Sequence, residues 1–472
     1  MPFLGEAHLF DWDEVNFAEA AREMLVTGDY SYVQVNFKPF WEKPPLFIWL
    51  QAFSMSLFGV SEFAARLPNA ICGVLTILIL FNIGNKLVSK NFGLLWVLVY
   101  FGSLLPQAYF RTGIIDPCFN LLIFSSIHQL VLASKEKVIS RVRMIVSAVL
   151  IGLAVLTKGP TAFALLGLCC AVYFALFFRK HNWKLLDPFI YLSIVILVGF
   201  SWFFFEVAQG HGYVVQEFID YHIRLLSKSE AGHGQPFYYH PVVLLLLCFP
   251  MSLFLISSWF NNEESSSEII HYKKWMTILF WVVLIVFSVV KTKIIHYSSL
   301  TYFPMSFLAA WFIYKALKSK VEISNWLKLS IFAFILLFGT AFLLVGIMEQ
   351  IKEPLLKLLI NDGLAYGNFN QNIPDGPFDW IVGVVFLVAG LASLLAIQKG
   401  KTREGIVGLF GTCLVSVSLL LLIIAPKIDR YTQKSLFDFY EEHSESHHFQ
   451  PLAMHSYAHL FYGRRTPLPV ET

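Results

Sequence analysis

Charge is scarce in this chain. Only 14% of its 472 residues are Asp, Glu, Lys or Arg, while 57% are hydrophobic. A soluble domain carries about 25% charged residues, so the composition excludes an ordinary soluble protein and points to an integral membrane protein. The net charge is only +3, and no basic run with interleaved aromatics occurs, which excludes nucleic acid as a partner. The six cysteines, Cys72, Cys118, Cys169, Cys170, Cys248 and Cys413, lie in or beside apolar runs. None forms a CxxC or a Cys/His spacing, so they read as small apolar residues inside spans rather than as metal ligands. The chain also lacks a repeat of solenoid length, and its one biased tract is the Ser/Glu patch at 261–268.

Long apolar runs fill most of the chain. They fall near 66–88, 92–108, 115–133, 143–158, 161–178, 187–207, 241–260, 273–290, 297–315, 327–347, 379–397 and 404–425. Each is close to the roughly 20 residues that cross a bilayer, giving an all-α polytopic protein with about twelve spans. Pro45 to Phe58 is too short to span comfortably and reads as an interfacial or re-entrant helix. Lys and Arg collect in alternate short loops: at Lys86 and Lys90; at Lys135, Lys137, Arg141 and Arg143; at Arg179, Lys180 and Lys184; at Lys273 and Lys274; at Lys315, Lys318 and Lys320; and at Lys399, Lys401 and Arg403. By the positive-inside rule these loops are cytoplasmic. The opposite, outer face, periplasmic in a bacterium, then receives the polar first loop (1–65), the loops 208–240 and 348–378 that interrupt the membrane domain (66–425), and the tail (426–472). The chain opens without a signal peptide or a first span, which leads us to expect a span upstream of Met1. The tail, with SLFDFYEEH and SYAHLFYGRR, reads as the start of a small α/β domain.

Chemistry is expected where charge is kept beside lipid. Asp13 and Glu14, in DWDEVNFAEAAREM, open a helix expected to run to Gly28 with Phe17, Ala21, Met24 and Leu25 on one face. Carboxylates there either cap the helix or serve as a general base. In Trp41-Glu42-Lys43-Pro44-Pro45 the double proline fixes an extended turn, holding Lys43 at the membrane surface either to snorkel or to meet a phosphate. Arg66 opens the first span. Arg111, Asp116, Lys158, Lys291, Lys293 and His296 are exceptions in the charge-poor outer loops. Around one cavity, Lys43, Arg66, Arg111, Lys158 and Lys293 would suit an anionic lipid head group. His211, His222, His233 and His240 match no strong zinc spacing, and the Gly-His-Gly-Gln-Pro turn suggests a loop that closes over substrate.

The order of these motifs resembles the polyprenyl-phosphate-dependent glycosyltransferases of the GT-C fold, in the branch of aminoarabinose–lipid A transferase and the bacterial relatives of protein O-mannosyltransferases. The resemblance rests on D-E-x-x-x-A-E-x-x-R-E-M at Asp13 to Met24, E-K-P-P-L at Glu42 to Leu46, F-G-V-S-E-F-A-x-R-L-P at Phe58 to Pro68, R-x-G-x-x-D at Arg111 to Asp116, T-K-G-P at Thr157 to Pro160, Y-H-I-R-L at Tyr221 to Leu225, Q-P-F-Y-Y at Gln235 to Tyr239, and K-x-x-x-Y at Lys293 to Tyr297. It implies about thirteen spans, a soluble periplasmic end domain, and location in the bacterial inner membrane. It further implies inverting transfer of a sugar from an undecaprenyl-phosphate-type carrier to a lipid, glycan or protein acceptor. On this resemblance Asp13, with Glu14 beside it, and Asp116 are the catalytic acids. Lys43, Arg66, Arg111, Lys158, Lys293 and Tyr297 surround the donor phosphate. His233, Gln235, Tyr238 and Tyr239 cover the substrate. No cofactor is required across the family, but a divalent metal at Glu42 and His222 stays open. The protein is expected to act as a monomer among membrane lipids. The competing classes are a lipid-linked sugar flippase or transporter, and an inactive family member. Transporters usually place ionisable groups at the midplane and show repeat symmetry, whereas here the unusual charges gather at one face.

Overall fold

A computed structural model describes residues 3–467 apart from 135–138, 178–183, 228–233, 261–265, 320–322, 446 and 452–455. Helix α1 (Asp13–Thr27) ends at Gly28, whose φ of 73° is the left-handed conformation that glycine adopts without strain. Its N-cap, Trp12, makes no side-chain cap, so the expected capping role of the acids is corrected. Asp13 and Glu14 sit inside the first turn, where the helix dipole still favours them. A two-residue hairpin, Gln34–Val35 against Lys38–Pro39, follows. Its turn residues Asn36 and Phe37 have positive φ, and their amides donate to the Glu23 carboxylate, tying the hairpin to α1.

Helix α2 (Leu46–Phe58) starts directly after the double proline, with 13 residues, in keeping with an interfacial element. Helix α3 (Glu62–Leu87) is capped by Ser61, whose hydroxyl accepts from the Ala64 amide. It packs closely against α4 (Lys90–Phe101): a Cβ placed on Gly84 would lie 2.7 Å from the Gly93 Cα. Helix α5 (Leu104–Tyr109) is short, and α6 (Asp116–Ala133) and α7 (Arg141–Lys158) form an antiparallel pair. Ser126 and Ser147 exchange hydrogen bonds across that pair, satisfying polar groups that lipid could not.

Among the described residues, five helices are long and apolar enough to cross a membrane, the first being Glu62–Leu87. Two bent pairs, Leu186–Gly199 with Ser201–Ala208 and Tyr239–Leu247 with Met251–Trp259, raise this to seven if each is one span. The other apolar runs are helical too, but several, such as Lys90–Phe101 and Thr161–Phe177, are shorter. Stacked and edge-on aromatics fill the interior, for example Phe124 on Phe303 at 4.3 Å between ring centres.

The tail differs from expectation. Its described residues form the helices Ala425–Thr432, Lys434–Glu442 and Ala458–Phe461 and contain no strand, so the α/β character expected there is not seen among them. Instead the tail packs on the first loop. The Tyr462 hydroxyl accepts from the Leu9 amide at 2.7 Å, and Arg22 donates to the Arg465 carbonyl. Buried Lys427 pairs with Asp375 and, at 3.0 Å, with Asp379, fastening the tail to the 348–378 segment.

Candidate active site

Three chain segments far apart in sequence meet at the start of α1, the start of α6 and the end of α7. Asp116 is fixed because it opens α6 just ahead of Pro117, a residue suited to a helix's first turn. Lys158 is fixed because it ends α7 at Gly159, whose φ is 81°. A side chain at Gly159 would also strike Phe218, 2.5 Å from its ideal Cβ, so glycine lets the Gly212–Ser227 helix lie over this helix end. The Lys158 ammonium donates to Asp116 at 2.7 Å and lies 4.8 Å from the centre of the Tyr297 ring.

His296 stands between the two acids. Its Nε2 is 3.4 Å from Asp13 and 3.6 Å from Asp116. The histidine sits in a single 3-10 stretch, Ile295–Thr301, whose Ser299 accepts from Asn120 of α6 and donates to the His296 carbonyl. Burial lowers the imidazole's proton affinity, against the opposing pull of Asp116 and Asp13. Of the two acids only Asp13 is reachable: its side chain is 31% exposed, that of Asp116 3%.

Lys43 lies beside the same cluster. Burial lowers its proton affinity while Glu42 and Asp13 raise it and Lys158 lowers it further, which places all of these groups within electrostatic reach. Its ammonium lies 4.0 Å from Glu42 and 5.2 Å from the Tyr221 ring centre, and the Tyr221 hydroxyl donates to Glu42 at 3.3 Å. The first loop and the 212–227 helix thus close one wall together. The result is a polar cluster with three carboxylates, two ammonium groups, one imidazole and two phenols, suited to an anionic substrate whose charge shifts during reaction.

Several expected members lie elsewhere. Glu14 and Arg66 form a buried pair at 2.8 Å. Arg66 also donates to the carbonyls of Leu4, Ala7 and His8, and Glu14 accepts from the amides of Phe10 and Gly113. Their valences are filled, so the expected phosphate and catalytic roles are corrected to holding the first loop on α3. Arg111 donates to Ser418 at 3.0 Å, and Lys293 to the Val290 carbonyl at 2.6 Å. Among the described residues neither forms an ion pair with Asp13 or Asp116. Gln235 and Tyr238 are exposed and Tyr239 half-buried, with Gln235 on a groove beside Lys291 and Lys293. His233 lies outside the described residues.

The Glu42–His222 metal option fits poorly. His222 donates its Nδ1 proton to the Phe218 carbonyl at 2.8 Å, and burial together with Lys43 pushes its pKa down to about 4. That leaves a neutral ligand, but among the described residues no third ligand joins these two, and the Lys43 ammonium occupies the space beside Glu42. Two residues were given no role on sequence grounds: His296 and Tyr221. Both stood in quoted motifs, and His296 was already conspicuous as a titratable group in a charge-poor outer loop.

The chain is similar to known membrane transferases. The family model for dolichyl-phosphate-mannose-protein mannosyltransferase matches residues 42–204, which include Lys43, Asp116 and Lys158. The undecaprenyl phosphate-alpha-4-amino-4-deoxy-L-arabinose arabinosyl transferase of Pectobacterium carotovorum is 27% identical over 76% of this chain and 65% of its own length. Its counterpart in Pectobacterium atrosepticum is 26% identical over 72% of this chain and 62% of its own length. The match therefore spans a little under two thirds of these relatives. The crystal structure of ArnT from Cupriavidus metallidurans bound to undecaprenyl phosphate superposes with a TM-score of 0.75, covering 98% of this chain and 82% of that one at 18% identity. At that identity the likeness speaks for the fold.

Proposed function

We propose, from the premise that this chain is a GT-C-fold relative of the aminoarabinose transferases and protein mannosyltransferases, that it is a membrane glycosyltransferase moving a sugar from a polyprenyl phosphate to an envelope acceptor. The observation that carries the reading is the cluster in which partly exposed Asp13, buried Asp116, His296, Lys158 and Lys43 converge. The carrier phosphate leaves as a phosphate monoester, so its departure needs charge stabilisation more than a strong acid. Lys43 is the group that meets it, with Tyr221 and Tyr297 walling the pocket.

Inversion follows if the acceptor attacks the anomeric carbon opposite the phosphate. Asp13 is then the group that takes the proton of a hydroxyl acceptor, or that orients a phosphate acceptor and stabilises charge on the sugar ring. Asp116 is a positioning residue: paired with Lys158 at 2.7 Å, it fixes that ammonium and faces His296. Lipid A, another glycan and a protein hydroxyl all fit as acceptors, and the donor sugar is a pentose or hexose. The alternation of Lys- and Arg-rich loops supports a topology of about twelve spans with this cluster on the periplasmic face of the inner membrane, first loop 1–65 and tail 426–472 outside.

The test is donor consumption by the purified full chain in detergent, supplied with a polyprenyl-phosphate-linked sugar and an envelope glycolipid. The expected result is free polyprenyl phosphate together with a glycosylated acceptor. Movement of intact donor across vesicles without cleavage would instead favour a flippase.

A further inference from the structure

A second convergence of ligating groups lies apart from this cluster, where the first loop, the start of α3 and the tail meet. His8, Glu62 and Glu441 each offer one ligand atom, and these atoms lie within 4.8 Å of one another. Asp438 adds a carboxylate oxygen 3.8 Å from His8 Nε2.

The surroundings orient these groups as a metal site would require. His8 Nδ1 lies 2.8 Å from the carboxylate of Asp429, which is 2% exposed. A carboxylate accepts only, so Nδ1 carries the proton and Nε2 presents its lone pair toward Glu62, Glu441 and Asp438. The rings of Phe437 and Tyr462 stand edge-on to the imidazole at 5.6 and 5.2 Å and fix its plane. The Tyr462 hydroxyl accepts from the Leu9 amide and lies within electrostatic reach of Glu62. A ligating histidine backed by a carboxylate is the outer-shell pattern of protein metal sites. Charge points the same way. Asp429, Asp438, Glu62 and Glu441 lie around one imidazole, with Lys434 2.9 Å from Asp438 and Arg66, already paired with Glu14, within electrostatic reach of Glu62.

We propose that His8 Nε2, Glu62 and Glu441 bind a divalent cation of the zinc class, with Asp438 as the available fourth ligand, and that the ion clamps the tail onto the first loop and α3. One nitrogen and two or three carboxylate oxygens at about 2.0–2.2 Å is a coordination zinc accepts. The ligands close on the ion from their present separation by side-chain rotation of Glu441, which is exposed and unconstrained by packing.

The test is the zinc content and melting temperature of the full chain purified in detergent, stripped with chelator, reloaded with zinc chloride and desalted. Wild type is expected to retain about one zinc per chain and to melt at higher temperature when loaded. His8→Ala loses both effects. Glu441→Gln, a surface change that leaves folding intact, weakens zinc binding at least ten-fold. His222→Ala keeps the zinc, which separates this site from the Glu42–His222 position. Retention of stoichiometric zinc by His8→Ala, or no zinc and no melting shift in wild type, would overturn the proposal.

Discussion

Asp13 and Glu14 are neighbours in one helical turn and meet opposite surroundings. About 100° of helix rotation separates their side chains. Glu14 turns inward to a guanidinium whose other donors are taken by three carbonyls, and it is 3% exposed. Asp13 turns toward the cluster, 3.4 Å from His296 and within electrostatic reach of Lys43. The first is a closed account of hydrogen bonds that fixes the loop. The second is an open one with capacity left for a ligand. The same contrast separates Arg66 from Lys43: Arg66 is buried and saturated by its partners, whereas Lys43 is half-buried and lies beside the Asp13 cluster. On the proposed reading, chemistry belongs to the charges whose partners are incomplete.

That contrast can be broken by substitution. The largest effect expected is on folding: Glu14→Ala leaves the Arg66 charge buried without its partner, at a cost of about 3–5 kcal/mol. Denaturation in detergent should show a large drop in stability, with activity per folded molecule little changed; an unaltered melting temperature would contradict the structural role. Lys158→Met should lower turnover by about 10²–10³, the range for loss of one stabilising donor in a dry site. Its melting temperature should fall less than that of Glu14→Ala. Lys43→Ala should weaken donor binding by about ten-fold, or ~1.4 kcal/mol; an unchanged affinity in donor competition would remove Lys43 from the phosphate.

A further expected effect concerns pH. Burial, and then neighbouring Glu19, raise the Glu23 pKa from 4.5 to about 8. Folded Glu23 therefore holds its proton through a window where the unfolded chain has lost it. Stability should fall as pH rises from about 4.5 to 8, by at most ~1.4 kcal/mol per pH unit. Glu23→Gln should flatten this slope in a melting-temperature series, and an unchanged slope would assign it to other groups.

Much of this was legible in sequence. The helical, membrane character followed from hydropathy, although only five to seven of the twelve expected runs are long and apolar enough to span among the described residues, and α1 ends at Gly28 as glycine there implies. Asp13, Asp116, Lys43, Lys158 and Tyr297 were chosen as charged or polar groups in outer motifs, and the structure brings them together. What the sequence hid was direction. Nothing in Asp13-Glu14 tells which carboxylate faces inward, and nothing in Arg66 or Arg111 tells that their partners are Glu14 and Ser418. Those pairings join residues 52 and 307 positions apart, which local pattern cannot encode. His296 was visible only as an anomaly, because its role depends on α1 and α6 meeting around it. The tail was read as the beginning of an α/β unit from its aromatic–acidic mix. Its described residues are helical, because Phe437, Leu460 and Phe461 bury against the first loop and the core.

The central claim is that Asp13 serves the reaction while Glu14 serves the fold. Its most direct test is the turnover of a polyprenyl-phosphate-linked sugar by Asp13→Asn, measured by mass spectrometry of released polyprenyl phosphate alongside the melting temperature of the same preparation. The account predicts a loss of about 10²–10⁴ in rate, the range for general acid–base catalysis, with the melting temperature of wild type retained. Turnover near that of wild type in a fully folded Asp13→Asn protein would contradict it.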